Sequence, residues 1–323
     1  PTLDYCEHRG HVARHEALPA VIYKIPINGA APSILKATGR PFDQFSIDTR
    51  GDRLRALVDW MDPRCAEETK TVHPTLFQGS LNRFSKALSK RRYGSYHPLQ
   101  SYSIELELEN RFTENHLIYS LDDWGSYPPD RNERVTAGSV IVTPVRRPHE
   151  SQSLNLSHNI ARLELVDNNG LLFSYLTTAG TPRIASTIVL PSRYESEGRS
   201  HAFNYLLDGE GNATLGLPTV FRRDRGGRWW WESDSSDVSY LKLIDEQLSD
   251  LGALTANEDA LDDDYECEIS CVDWYGNTRP IFTEERIFGL SGVELIEGVI
   301  EGERIAEQRR LNLSTPHSTD TID

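Results

Sequence analysis

Short strand-like stretches recur along the chain, and turn-forming residues separate them. Each is about five to eight residues long, which is a usual strand length, and Gly, Asn, Asp or Pro follows it. The clearest examples are "AVIYKIPI" before Asn28-Gly29, "SYSIELELEN", which alternates from Tyr102 to Glu109, and the hairpin-like "ARLELVDNNGLLFSYLTT". Short alternating strands with regular turn signals predict an all-β sandwich, barrel or propeller.

Two further stretches predict hairpins. "DQFSID" and "RLRALVDW" flank the turn Thr49-Arg50-Gly51-Asp52, and "HAFNYLLDGEGNATLGLP" has the same strand–turn–strand form. A chain of 323 residues suits a β-propeller of about six to seven four-stranded blades, because a blade needs about 40–50 residues. Part of a larger propeller, completed by another segment, is the other form of this prediction.

Helical patterns are scarce. "LNRFSKALSKRRY" and "LIDEQLSDLGAL", the second ending near Gly252, predict two short helices. The predicted domain organisation is an N-terminal arm over 1–19, a β-propeller domain over 20–312 and a polar C-terminal tail over 313–323.

The charge balance narrows the classes of partner. The formal net charge is -15, from 34 Lys and Arg against 49 Asp and Glu, so the surface repels nucleic acid and anionic lipid. No run of about 18 apolar residues is present, so no membrane-spanning segment is predicted. No signal peptide is visible, and the chain starts at Pro1, so either an initiator Met is trimmed or the chain is a processed fragment of a longer precursor.

The cysteines leave the redox state open. Cys6, Cys65, Cys267 and Cys271 fit two disulfides in an oxidising compartment or four reduced thiols. On one extended strand the Cα atoms of Cys267 and Cys271 would be about 13 Å apart, whereas a disulfide needs less than about 7 Å. These two therefore do not pair with each other unless the strand bends.

The stretch "CEISCVDWYGNTRPIF" favours a structural role. Three residues separate its cysteines, whereas a redox motif has two, and a zinc site would need a second ligand pair. We expect a strand over 265–274, a turn over 275–277 and a returning strand. Pro280 has no N–H group and should lie on an edge strand or at a non-bonding position.

The N-terminal histidines are the candidate metal ligands. His8, His11 and His15 follow Cys6 in the pattern C-x-H-x-x-H-x-x-x-H, which could bind a divalent metal such as Zn or Cu. The favoured alternative is an exposed arm with unligated histidines. No other cofactor is indicated.

Other candidates have plain structural alternatives. The oxygens over 208–212 could bind calcium, but a hairpin turn is favoured. Ser200 and His201 point to opposite faces of a strand and cannot form a nucleophile–base pair. The tryptophans over 229–231 are either core or an aromatic platform. The basic cluster over 86–93 is a solvated helix end or a contact for an acidic partner surface.

Four blocks carry a family resemblance. They are "GRPFDQFSIDTRGDRLRALV", "ENRFTENHLIYS", "ESEGRSHAFNYLLDGEGNATLGLP" and "SCVDWYGNTRPIFTEERIFGLSGVELIEG". Together they resemble a family of bacterial and archaeal secreted proteins that have a C-terminal β-propeller domain. The resemblance covers most of the chain, from about Ala20 to Arg310. It implies a secreted or periplasmic protein of the cell envelope. It also implies that this chain corresponds to the C-terminal half of a longer product, completed by a partner chain.

These observations favour a binding or interaction module in an envelope or extracellular assembly. The expected partner is another protein chain, such as the N-terminal half of the same precursor. The alternative is a hydrolase or lyase with its site in the central channel of the propeller, since propellers also host catalysis. The sequence assigns no catalytic residues and favours a protein that is not an enzyme.

Overall fold

A computed structural model describes fourteen stretches of the chain: 19–60, 71–87, 94–103, 107–122, 139–156, 163, 174–178, 180–190, 193–195, 202–208, 210–221, 235–257, 278–283 and 286–313. The chain divides into two units, Pro1–Asn168 and Asn169–Asp323. Within these stretches all regular structure is β-strand except for short 3₁₀ helices, which include Gln44–Ser46, Leu81–Arg83 and Pro148–Glu150. The predicted all-β class is therefore confirmed. None of the described elements is a helix long and apolar enough to cross a membrane.

The first unit contains the strands β1 (Pro19–Lys24), β2 (Ser33–Thr38), β3 (Arg40–Pro41), β4 (Ile47–Arg50), β5 (Arg53–Asp59), β6 (Thr71–Val72), β7 (Pro74–Ser80), β8 (Ser95–Pro98), β9 (Tyr102–Ser103), β10 (Glu107–Phe112), β11 (His116–Asp122), β12 (Ser139–Pro144) and β13 (Gln152–Asn155). β1 and β2 form a two-stranded sheet, and β10 to β13 form a four-stranded meander. Between them in sequence is a five-stranded sheet in which β3 and β4 both pair with β5, followed by β7 and β8. β6 and β9 form a small separate pair.

The second unit contains the strands β14 (Ser174–Thr177), β15 (Arg183–Thr187), β16 (Arg193–Glu195), β17 (Asn204–Leu207), β18 (Ala213–Phe221), β19 (Ser235–Ile244), β20 (Gln247–Thr255), β21 (Arg279–Phe282), β22 (Ile287–Ser291), β23 (Glu294–Glu301) and β24 (Arg304–Asn312). The order of sheets repeats that of the first unit. β14 and β15 form a pair, β16 and β17 both pair with β18 in a five-stranded sheet that continues through β19 and β20, and β21 to β24 form a four-stranded meander.

Alternating side chains of β5 build two cores in the first unit. Leu57 packs with residues of β7, β10, β11 and β12 in the core shared with the four-stranded sheet. Leu54, Ala56 and Val58 pack with Leu35 of β2 in the core shared with the two-stranded sheet. Because neighbours on a strand point to opposite faces, the five-stranded sheet is the middle layer of this unit.

A buried arginine joins the middle layer to the four-stranded sheet of the first unit. The side chain of Arg55 is only 4% exposed and is paired with Asp48. Its Nε donates to Asp48 Oδ2 at 2.8 Å. Its two Nη atoms donate to the backbone carbonyls of Thr113 and Glu114, each at 2.9 Å. The guanidinium also lies over the ring of Phe112, 5.0 Å from its centre.

In the second unit a buried tyrosine and an arginine both connect the five-stranded sheet to the four-stranded sheet, and the arginine is Arg310 of β24, which donates to Thr255 O of β20 at 2.9 Å. Tyr240 of β19 donates from its hydroxyl to the carbonyl of Phe288 on β22 at 2.8 Å. It lies in a core with Val238, Leu254 and Ile296.

A glycine lets the two larger sheets of the second unit approach closely. A Cβ atom on Gly216 of β18 would lie 2.4 Å from the Cβ of Pro280, closer than two carbon atoms can pack. Pro280 is on β21, which is the edge strand of its sheet among the described strands. The predicted neighbouring strand over 265–274 lies outside the described residues, so the edge position of this proline stays a prediction.

Both helix predictions fail in the part of the chain that the structure describes. "LIDEQLSDLGAL" forms the end of β19, a tight turn and β20. Asp245 and Glu246 occupy the turn with φ values of 48° and 64°. Pairing of β19 with β18 and β20 outweighs the weak local helical preference. "LNRFSKALSKRRY" begins with one 3₁₀ turn, after which Phe84 is extended.

The predicted hairpins are confirmed where they are described. β4 and β5 pair around the turn at Gly51 and Asp52, and β17 pairs with β18. "DQFSID" departs from its prediction because its first residues form a 3₁₀ helix that Asp43 caps, with Asp43 Oδ1 accepting from Ser46 N at 2.8 Å. Of the hairpin "ARLELVDNNGLLFSYLTT", the turn lies outside the described residues, and its last strand, β14, pairs with β15.

Candidate functional site

The outer face of the β1–β2 sheet is an exposed apolar surface. Tyr23 is 65% exposed and Val21 is also exposed, and both lie on β1. Ile25 follows the strand and is 71% exposed, and Ile27 beyond it is fully exposed. Val21 and Tyr23 alternate along β1, and Ile25 and Ile27 continue the row after the strand ends. Neighbouring exposed apolar side chains are typical of an interaction site rather than of a solvated surface. We call these four residues the β1 face.

The packing of the opposite face explains why these side chains point outward. Ile22 and Leu35 are register partners, and both belong to the core shared with the five-stranded sheet. Because strand neighbours alternate, Val21 and Tyr23 must lie on the other side. On this outer face Tyr23 is paired with Ile34 and Val21 is paired with Lys36, so an apolar pair lies next to a pair that includes a cation.

The free edge of β1 adds hydrogen-bonding capacity to the β1 face. Among the described strands, β1 pairs only with β2. The other edge of β2 is bridged at Ile34, whose N–H donates to Ser85 O at 2.8 Å and whose carbonyl accepts from Ser85 N at 3.0 Å. A partner strand could therefore extend this sheet at β1, and its side chains could pack on the β1 face.

A second arrangement in the first unit combines a histidine, a serine and a buried acid. His73 lies in the one-residue break between β6 and β7, and Ser101 lies between β8 and β9. The Nδ1 atom of His73 and the Oγ atom of Ser101 are 2.7 Å apart. Asp59 at the end of β5 is buried, and its Oδ2 is 3.9 Å from an Nη atom of Arg40.

Burial determines the protonation states of His73 and of two buried tyrosines, Tyr102 and Tyr119. Desolvation lowers the pKa of His73 despite the nearby carboxylate of Asp59, which acts in the opposite direction. Burial raises the pKa of Tyr102, and the charge of Asp59 raises it further. Burial also raises the pKa of Tyr119 to about 12, against the effect of a backbone hydrogen bond from Gln100. Near neutral pH the imidazole is therefore uncharged and both phenols keep their protons.

This arrangement could carry proton-transfer chemistry. A neutral imidazole that is hydrogen-bonded to an exposed serine hydroxyl is positioned to accept its proton, as nucleophilic catalysis requires. The described stretches contain no group of three or more His, Cys, Asp or Glu side chains that could bind a metal ion.

Most residues singled out by the sequence lie outside the described residues. They are the metal candidates His8, His11 and His15, the cysteines Cys6, Cys65, Cys267 and Cys271, the pair Ser200 and His201, and the tryptophans over 229–231. Of the basic cluster, Lys86 and Ala87 are described and 88–93 are not.

The calcium candidate is a hairpin turn, as the favoured alternative predicted. Asp208 Oδ1 accepts from the backbone N–H groups of Glu210 and Asn212, both at 2.9 Å. Its Oδ2 accepts from Asn212 Nδ2 at 2.9 Å. These bonds lower the pKa of Asp208, that from the Asn212 side chain most of all. The carboxylate is thus occupied in closing the turn between β17 and β18.

Sequence reasoning missed both arrangements. The β1 face lies within a continuous apolar run, "AVIYKIPI", from which the outward side cannot be chosen. His73 and Ser101 belong to no catalytic motif, and only the pairing of β6 with β9, in which Val72 is the partner of Tyr102, brings them together.

No model of a known protein family matches the chain, and no curated protein matches it either. The fold therefore defines only a class: an all-β protein of successive antiparallel sheets. Within the first unit of this protein, the β1–β2 sheet packs one face in the core and exposes apolar side chains on the other.

Proposed function

We propose that this chain is a β-propeller-type interaction module in a secreted or cell-envelope assembly, where a partner chain covers the β1 face. The observation that carries the proposal is the row of exposed apolar side chains on a sheet that has two strands among the described residues. A two-stranded sheet is marginal in water, whereas four strands make a full propeller blade. Strands from a partner would complete it.

A β-sheet is the partner element that best fits this face. The described cores of both units are made by one sheet packing on another. The β1 face offers the same period-two row of apolar side chains beside a strand edge with which no other described strand pairs. The N-terminal half of the same precursor is the partner that the family resemblance implies. Function would then lie in loops presented on a rigid scaffold.

The test compares the natively produced protein with the chain expressed alone. We expect a second chain from the same precursor to copurify with the native protein, identified by intact mass with and without reduction. Amide hydrogen exchange over Pro19–Lys24 should be slower in that assembly than in the lone chain. Combining Tyr23→Lys with Ile25→Lys should release the second chain, because it places two charges in an apolar contact.

The matched control is Val189→Lys, which changes an exposed apolar residue of the second unit. This variant should keep the second chain. A native protein that purifies alone, with β1 amides exchanging as fast as in the lone chain, would overturn the proposal.

A second function, that of a hydrolase, is favoured by the 2.7 Å contact between His73 and Ser101. A fluorophosphonate probe should then modify Ser101, as peptide mass spectrometry would detect. His73→Phe should abolish this labelling, whereas Ser153→Ala, at an exposed serine of β13, should leave it unchanged. A wild-type protein without an adduct at Ser101 would exclude this function.

A further inference from the structure

A polar pocket lies at one end of the five-stranded sheet of the first unit. Its volume is about 450 Å³, and the residues that line it include Asp52, Arg53, Ser80, Arg83, Gly94 and Ser95. Arg53 and Asp59 are the two ends of β5, so the pocket is at the opposite end of this strand from the His73 arrangement. A volume of several hundred Å³ is the size of a small-molecule site.

Strand register and small side chains create the pocket. Arg53 of β5 is paired with Ser80 of β7, and Ser95 of β8 is paired with Gln78 of β7. Gly94 has a φ of +153°, and a Cβ atom there would lie 2.2 Å from the ring of Phe77. A larger residue at position 94 is therefore excluded, and the serines on the neighbouring strands leave the space above the sheet open.

The charged groups of the pocket favour an anion. Two guanidinium groups, of Arg53 and Arg83, line it together with the single carboxylate of Asp52. The Arg53 side chain makes no ion pair within the described stretches. Arg50, its partner across the β4–β5 hairpin, has its Nε 3.8 Å from Asp48 Oδ1. Arginine presents several N–H donors in a plane that matches carboxylate and phosphate oxygens.

The sequence between two residues of the pocket is basic. Between Arg83 and Gly94, both of which line the pocket, the chain contains Lys86, Lys90, Arg91 and Arg92 and no acidic residue. In a protein with a net charge of -15, this is a local excess of cations along the sequence.

We propose that this pocket binds a small hydrophilic anion through a carboxylate or phosphate group. Arg53 and Arg83 would donate to the anionic oxygens, and the hydroxyl groups of Ser80 and Ser95 would donate to the same group or to hydroxyls of the ligand. The site is separate from the β1 face and does not depend on a partner chain.

Calorimetric titration of the whole chain with inorganic phosphate and with glucuronate tests this proposal, at constant ionic strength because salt screens exposed charges. We expect saturable binding of at least one probe. The probe that binds more tightly identifies phosphate or carboxylate as the preferred group. Arg53→Gln and Arg83→Gln should each weaken that binding by about tenfold or more, as expected for loss of a charge-assisted hydrogen bond.

Two further variants keep the test specific. Arg50→Gln removes the same charge from the same hairpin outside the pocket, and it should leave the affinity unchanged. Ser95→Leu keeps every charge but fills the pocket from the exposed edge strand β8, and it should abolish binding. The proposal is overturned if neither probe binds saturably to folded wild-type protein. It is equally overturned if Arg50→Gln weakens binding as much as Arg53→Gln does.

Discussion

The two units differ in the group that lies in the core between the five-stranded and the four-stranded sheet. In the first unit it is a guanidinium, that of Arg55, which bonds to Asp48 and to the carbonyls of Thr113 and Glu114. In the second unit it is the phenol of Tyr240, which donates to Phe288 O within an apolar core. The second unit also has a guanidinium connection, from Arg310 of β24 to Thr255 O of β20 at 2.9 Å, but Arg310 is 19% exposed whereas Arg55 is 4% exposed. The removal of Arg55 and of the Tyr240 hydroxyl should therefore have different consequences.

The largest effect is expected for Arg55→Met. The substitution keeps the apolar stem but leaves Asp48 without its buried partner and two carbonyls without their donor. We expect the free energy of unfolding to fall by about 3–5 kcal/mol, as for other buried pairs that lose one member. Urea denaturation followed by fluorescence would measure it.

Asp48→Asn provides the comparison for Arg55→Met. This variant should lower the free energy of unfolding by less than Arg55→Met does, because Asp48 is partly exposed and Arg55 keeps its bonds to the backbone. Equal losses in the two variants would mean that the backbone bonds of Arg55 contribute nothing.

The next largest effect is expected for Gly216→Ala in the second unit. The added methyl group would overlap Pro280, and overpacking of this kind costs about 1–3 kcal/mol. Thermal unfolding would show the loss. Gly289→Ala is the matched control, since its Cβ atom would lie 3.2 Å or more from Val238 and Leu254 side chains, and it should cost less.

A smaller effect is expected for Tyr240→Phe. The ring remains in the core and only the hydrogen bond to Phe288 O is lost, which should lower the free energy of unfolding by about 1 kcal/mol. A loss as large as that of Arg55→Met, in the same denaturation experiment, would contradict the expectation that Arg55 contributes more to stability than the Tyr240 hydroxyl.

The two units should also respond differently to mild acid, and this is the smallest effect expected near neutral pH. Burial lowers the pKa of His73 and of His116, both in the first unit, below the ordinary value of 6.5. As the pH falls, both histidines bind a proton in the unfolded chain at a higher pH than in the folded protein. The first unit therefore loses stability as the pH falls below 6.5. In the second unit arginine partners lower the pKa of Glu297 and Glu307 below 4.5. The stability that these ion pairs contribute is therefore lost only below pH 4.5.

Hydrogen exchange between pH 7.5 and 5, corrected for the intrinsic exchange rate, measures this difference. Peptides from β11 should lose protection while peptides from β23 keep it. His116→Gln should reduce the loss in β11. The control His149→Gln, at a side chain that is 79% exposed, should not. Equal loss of protection in both units would show that these histidines do not determine the difference.

The sequence predicts the features that depend on a few neighbouring residues. The turns at Gly51-Asp52 and over 208–212 follow from local backbone preferences. The pocket could not be predicted in this way, because Arg53, Ser80 and Ser95 come together only through the register of three strands. The β1 face also depends on tertiary packing, since only the core around Leu35 decides which side of β1 is buried.

Asp245 and Glu246 have a further consequence, for the order in which the second unit folds. Both residues have the left-handed backbone, which costs about 1–2 kcal/mol for a residue with a side chain, and the surrounding sequence has helical spacing. A nascent chain that ends near residue 257 has already completed β18, the strand on which β19 pairs. We therefore expect β19 to pair with the completed β18 before the segment around Asp245 and Glu246 can form a helix. The sheet would then grow in the direction of synthesis.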